Sequence, residues 1–223
     1  HRAGRVAEAI ATYEAALKHA PREPVLNNKL EQWRRDATVR ARSFESRGAH
    51  FSVLFQGPAD EMIARRAVEM LEEAYWRVGA TLTTYPTRTI TVVLYTDEQF
   101  RDITLSPAWA AGSYDGTIRI PTRGAIDQPE EFERILTHEF VHAVVATIGG
   151  RDVPAWLNEG LASMLEPGGG PDEATLAGGS RISLSQLERG FARFSAQEAQ
   201  HAYAQSTLAV QKVVQLRGTP AIV

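Results

Sequence analysis

Residues 127–150, DQPEEFERILTHEFVHAVVATIGG, decide how the rest of this 223-residue chain is read. Asp127 is suited to cap a helix, Pro129 with Glu130 and Glu131 to form its first turn, and Gly149-Gly150 to stop it. Phe132, Leu136, Phe140 and Ala143 make one apolar stripe, and Ile135, Val141, Val144 and Val145 fill much of the remainder. A helix apolar on most sides is a buried helix, where His138, Glu139 and His142 need a reason to be present. Histidines four residues apart sit about 40° apart around the axis and one turn up. Their rings can therefore converge on one metal ion, with Glu139 projecting beside them toward a water on that metal.

The next helix is predicted from DVPAWLNEGLA, residues 152–162, opened by Asp152 and Pro154 and closed by Pro167. Glu159 lies amid Trp156, Leu157, Leu161 and Ala162, again an acid in apolar surroundings, and buried carboxylates need a partner or a metal. Two histidines from one helix and one glutamate from the next leave a fourth position for water, the layout of a catalytic zinc site and not of a closed structural one. The competing reading is a pair of hydrogen-bonded core histidines with an incidental glutamate.

Composition narrows the class. The chain is 43% hydrophobic and 23% charged, enough apolar material for a real core. Zero Cys excludes a disulfide scaffold, a cysteine-ligated metal and a thiol nucleophile. A formal net charge of -3 gives no bias toward nucleic acid or an anionic membrane. No stretch approaches the roughly 20 apolar residues of a membrane span. Starting mid-pattern at His1, the sequence is read as a piece of a longer chain.

Residues 1–47 are expected to form a helical arm. Ala9, Tyr13, Ala16 and Leu17 recur at helical spacing, and Leu26, Leu30, Trp33, Ala37 and Phe44 form a stripe on a second, longer helix. Residues 48–223 are expected to form one further domain. Strands are predicted at residues 50–57 and 89–95, with a helix between them carrying Ile63, Ala67, Met70, Leu71, Ala74 and Val78 on one face. A short helix follows over 97–104. Asp115-Gly116 then marks a hairpin or edge strand before Thr117–Ile120. After Asp127 the pattern is helical except in the Gly/Pro-rich residues 167–179. Ser195 and Glu198 form a capping box for a last helix reaching Gly218, with Val210, Val213, Val214 and Leu216 expected in the core. Strands and helices first, helices afterward, is an α+β order.

At His138-Glu139-Phe140-Val141-His142 and Trp156-Leu157-Asn158-Glu159-Gly160 the chain resembles the gluzincin metallopeptidases, in particular the bacterial peptidase-MA-like domain. The order Gly4, Ala9, Tyr13, Ala16, Pro21 is similar to the second helix of a tetratricopeptide repeat; an unrelated alanine-rich amphipathic helix is the other reading. The resemblance implies a zincin-like α+β fold with a small mixed sheet, an active-site helix and a helical C-terminal part. It implies one Zn(2+) held by His138, His142 and Glu159, with Glu139 as general base in peptide-bond hydrolysis. It also implies an edge strand that binds substrate backbone, here Gly112, Ser113 and Tyr114, and a hydrogen-bond donor for the oxyanion. Tyr203 is the candidate donor, with His201, Arg181, Arg189 and Arg193 behind it. The expected partner is a peptide or protein substrate, with a further protein possible on the repeat-like arm. A signal sequence ahead of His1 would place the protein in a bacterial cell envelope. The chain departs from the family in two places. Sixteen residues separate His142 from Glu159, slightly fewer than in thermolysin-type enzymes, and Ser163 stands where those enzymes carry an aspartate that orients a zinc histidine. The alternative function is a repeat-based interaction scaffold whose zinc-binding domain is not catalytic.

Overall fold

The computed structural model describes residues 6–19, 22–104, 106–107, 110–123, 125–150, 153–178 and 181–222. The fold is α+β, with a five-stranded mixed sheet. It gathers into two compact units: His1–Glu69 with Thr89–Asp127, and Met70–Arg88 with Gln128–Val223. These boundaries differ from a division at residue 47.

The first unit opens on two helices, α1 (Val6–His19) and α2 (Pro24–Ala41), packed on each other. The Tyr13 ring meets Trp33 edge-on at 4.4 Å between centroids. Ala9, Tyr13 and Leu17 are half-buried, whereas Ala16 is exposed. Gly4 and Pro21, the ends of the repeat-like pattern, lie outside the described residues.

Phe44, expected on the second helix, is instead the first residue of a strand, β1 (Phe44–Arg47). It sits opposite Phe55 of β2 (Phe51–Phe55), and the two rings stack at 5.8 Å. A cross-strand aromatic pair of this kind stabilises a sheet edge, and helical spacing alone cannot reveal it. A 3₁₀ turn at Pro58–Asp60 leads into α3 (Glu61–Leu82), whose residues are shared between the units. Then come β3 (Ile90–Tyr95), α4 (Asp97–Thr104), β4 (Ser113–Tyr114) and β5 (Ile118–Pro121). Strand order is β1-β2-β3-β5-β4, with β2, β3 and β5 parallel and both edge strands antiparallel. The β4–β5 turn needs Gly116, whose φ of 106° excludes most side chains. As expected of a central parallel strand, β3 is buried on both faces. Val93 and Tyr95 pack with Phe100 and Ile103 of α4, against Val39 and Leu54.

One polar cluster ties α2 to this sheet. Asp36 has no solvent exposure. Its carboxylate accepts from Arg119 Nη2 at 3.0 Å, from Arg40 Nε at 3.1 Å and from the Tyr95 hydroxyl. Burial pushes the Asp36 carboxyl up, but the Arg119 and Arg40 charges outweigh it and hold the group below its ordinary range. Arg119 also pairs with Asp115 beside the hairpin turn. Thus the helical hairpin and the sheet share one buried charge network.

The second unit is helical: α5 (Pro129–Gly149), α6 (Ala155–Leu165), α7 (Glu173–Gly178), α8 (Leu184–Leu187) and α9 (Ala196–Arg217). Gln128, not Asp127, occupies the N-cap position of α5, and Pro129 follows it at the first helical position. Within the stretch expected to be free of helix, α7 forms because Asp172 caps it, accepting from the Thr175 backbone N–H at 3.0 Å and its hydroxyl at 2.6 Å. The Ser195–Glu198 capping box is present. Val210 is fully buried, but Leu216, expected in the core, is 78% exposed in the last turn. Asp152 and Gly179 lie outside the described residues. No described helix is long and apolar enough to cross a membrane.

Asp36→Asn keeps the shape of the network but removes its buried carboxylate charge, leaving Arg119 with Asp115, a third exposed, as its remaining counter-charge. The expected loss is about 3–5 kcal/mol in urea unfolding at neutral pH. The carboxyl is held below its ordinary range, so its stabilisation is present above about pH 4 and is lost as pH falls through the folded value. The gap between wild type and variant should therefore narrow at pH 3.

Candidate metal centre

The candidate residues of the second unit come together where α5 crosses α6. His138 and His142 lie one turn apart on α5, their rings 4.9 Å between centroids and almost perpendicular. Ligand atoms of His138, Glu139 and His142 all lie within 4.8 Å of one another, so this group could hold a metal ion. Glu159 of α6 faces both rings: its Oε2 is 3.4 Å from His138 Nε2 and 3.4 Å from His142 Nε2.

Those two distances carry information. Charge-assisted hydrogen bonds run at about 2.7–2.9 Å, so 3.4 Å is long for contacts between half-buried groups of opposite charge. Ligand atoms bonded at about 2.0–2.1 Å around a tetrahedral ion lie about 3.3–3.4 Å apart. The Nε2–Oε2 pairs have that spacing. Each ring's other nitrogen makes a contact of ordinary hydrogen-bond length: His138 Nδ1 to Glu166 Oε2 at 2.8 Å, and His142 Nδ1 to Asn158 Oδ1 at 3.0 Å. With Nδ1–H donating outward, each Nε2 of a neutral ring would present its lone pair to the shared point once a metal displaces the second proton.

Electrostatics follow from burial. Without a metal, burial lowers the His138 imidazole, but the facing Glu159 and Glu166 carboxylates reverse this and push it up to about 10. His142 also moves up, burial opposing and Glu159 prevailing. Glu159 is driven well below the usual carboxylate range, its burial outweighed by the two imidazoles. Glu139 goes the other way. Burial raises it, the histidines pull against this, and Glu159 and Glu166 add to the rise. Its Oε2 is buried and has no hydrogen-bond partner among the described residues. Such an orphan is a carboxylate oxygen kept available.

Tyr203 of α9 stands over the site, its ring 6.0 Å from His138 and 5.1 Å from Phe191. Burial first, then the charges of Glu159, Glu139 and Glu166, raise its hydroxyl far above the ordinary value, so it stays protonated and able to donate. The close approach of α9 depends on Gly160. A Cβ there would sit 2.6 Å from the Ser206 carbonyl oxygen and 2.7 Å from Val210 Cγ2. His201 turns elsewhere, its Nδ1 3.2 Å from the Thr175 carbonyl of α7. Arg181, Arg189 and Arg193 are exposed. Gly112, Ser113 and Tyr114 belong to the first unit, Ser113–Tyr114 as the edge strand β4 beside β5.

Sequence reasoning missed Glu166, Asn158 and Arg134. Arg134 Nη1 donates to Glu166 Oε1 at 2.8 Å. Helical arithmetic could have found two of them. Glu166 is seven residues, two turns, beyond Glu159, and Arg134 is four residues before His138. The position of Ser163 drew attention to one turn when the carboxylate stands two turns on. Against known proteins, the sequence matches neither a family model nor a curated relative.

Gly160→Ala forces backbone at Ser206 to move. The expected cost is about 1–3 kcal/mol in thermal or urea unfolding, compared with an alanine-to-glycine control at exposed Ala196.

Proposed function

We propose that this chain is a zinc-dependent peptide hydrolase of the gluzincin type, with His138, His142 and Glu159 holding one zinc ion. The observation that carries the reading is the pair of 3.4 Å approaches of Glu159 Oε2 to the two Nε2 atoms, made while both Nδ1 atoms are hydrogen-bonded outward. Two imidazoles and one carboxylate fill three positions of a tetrahedral ion and leave the fourth to water or substrate, the donor set of catalytic zinc. When bound, the metal supplies a Lewis acid that polarises the scissile carbonyl and acidifies water.

The chain's own residues do the rest. Glu159 neutralises the ion's charge in a site too buried to hold it bare. Glu139, raised by its burial and with one oxygen unpartnered, takes a proton from the attacking water and returns it to the leaving amine. Tyr203, held protonated beside His138, donates a hydrogen bond to the oxyanion that develops on the carbonyl. Gly112, Ser113 and Tyr114 bind substrate backbone by strand addition in this reading, supported by β4 being an edge strand of the sheet. A peptide or protein is the substrate.

Glu139→Gln should bind zinc as wild type does yet lose nearly all cleavage of a peptide library. Wild-type turnover in that variant contradicts the assigned role, and zinc binding with no cleavage by the wild type favours an interaction scaffold. Tyr203→Phe should keep zinc and lose on the order of 100-fold in kcat. Turnover within a few-fold of wild type would place the donor elsewhere.

A further inference from the structure

The Glu166 carboxylate is used at both ends. Oε2 takes His138 Nδ1 at 2.8 Å, and Oε1 takes Arg134 Nη1 at 2.8 Å. Arg134 is itself anchored, donating Nε to Glu131 Oε2 at 2.7 Å and Nη2 to Glu131 Oε1 at 2.6 Å. The guanidinium fork thus grips one carboxylate with two nitrogens and passes a third to the next, which an ammonium cannot reproduce. Arg134 and His138 are one turn apart on α5, while Glu166 comes from the C-terminal end of α6, so this chain of contacts fixes α6 against α5 at the ring. On the other ring the partner is the neutral Asn158 amide.

Resting on the zinc reading above, we propose that Arg134 is a positioning residue for the metal: it locks Glu166, and through Glu166 the orientation of His138, without touching any ligand atom of the site. Two physical effects make opposite demands. By charge alone, a cation close to a cation site weakens binding, so its removal should tighten zinc. By geometry, removing it frees Glu166 to rotate, loosens the His138 tautomer and ring, and weakens zinc. Arg134 is 36% exposed at its side chain, so solvent screens the charge effect, whereas the fork is rigid. Geometry therefore wins.

The experiment is a double-mutant cycle read by zinc affinity, from chelator competition, on the full chain: wild type, Arg134→Gln, Glu166→Gln and the double variant. The visible spectrum of the cobalt(II)-loaded proteins and the melting of the metal-free proteins are recorded alongside. Glu166→Gln should lose about 10–100-fold in affinity and Arg134→Gln on the order of 10-fold, both with an altered cobalt spectrum. The double variant should be no weaker than Glu166→Gln. Arg134→Lys, which keeps the charge but not the fork, should stay weakened, and it is the variant to use if Arg134→Gln does not fold. Additive losses, unchanged affinity or tighter binding in Arg134→Gln each overturn the proposal while leaving the metal site standing. A wild-type protein that binds no zinc overturns the zinc reading and this inference with it.

Discussion

Burying two imidazoles and two or three carboxylates at one helix crossing is unfavourable unless each charge meets its complement, and the second unit is arranged around that requirement. His138 and His142 project from a helix most of whose buried residues are apolar, and little of either ring reaches water. Glu159 answers both at once from α6. Glu166 and Asn158 take the remaining nitrogens, and Arg134 balances the extra acid. A charge cluster so fully specified holds α6 on α5 in one register, where apolar packing alone would tolerate several.

That register in turn depends on small residues. Gly160 lets α9 approach until the Ser206 backbone fills the space a side chain would take, and this brings Tyr203 beside His138. In the first unit a parallel logic holds with different chemistry. There Asp36 is fixed by two arginines and a tyrosine, and the sheet and helical hairpin are joined through that one carboxylate. Both clusters bury carboxylates. Only the one on α5 and α6 leaves a carboxylate oxygen, Glu139 Oε2, without a partner.

Much of this was legible in the sequence because it rests on short-range periodicity. The i, i+4 histidines, the acid amid apolar residues at Glu159, the Asp115-Gly116 turn and the Ser195 capping box are local signals, and each element appears where expected. What was hidden depends on partners distant in sequence. Phe44 continues a helical stripe on paper, yet Phe55 captures it into a strand. Asp36 is an ordinary helix acid until Arg119 and Tyr95 arrive from the sheet. Leu216 has core chemistry but falls in a last turn with nothing to cover it. Glu166 directly precedes the helix-closing Pro167, and its role lies in the distant His138 nitrogen that it meets.

The central claim, that Glu159 and not Glu139 completes the histidine pair as a metal ligand, is tested most directly by a crystal of the zinc-loaded protein measured at the zinc absorption edge. One anomalous peak is predicted, bonded to His138 Nε2, His142 Nε2 and a Glu159 oxygen, with Glu139 free beside it and both Nδ1 atoms still facing Glu166 and Asn158. No peak at the α5–α6 crossing, or a peak ligated by Glu139 in place of Glu159, would contradict the account.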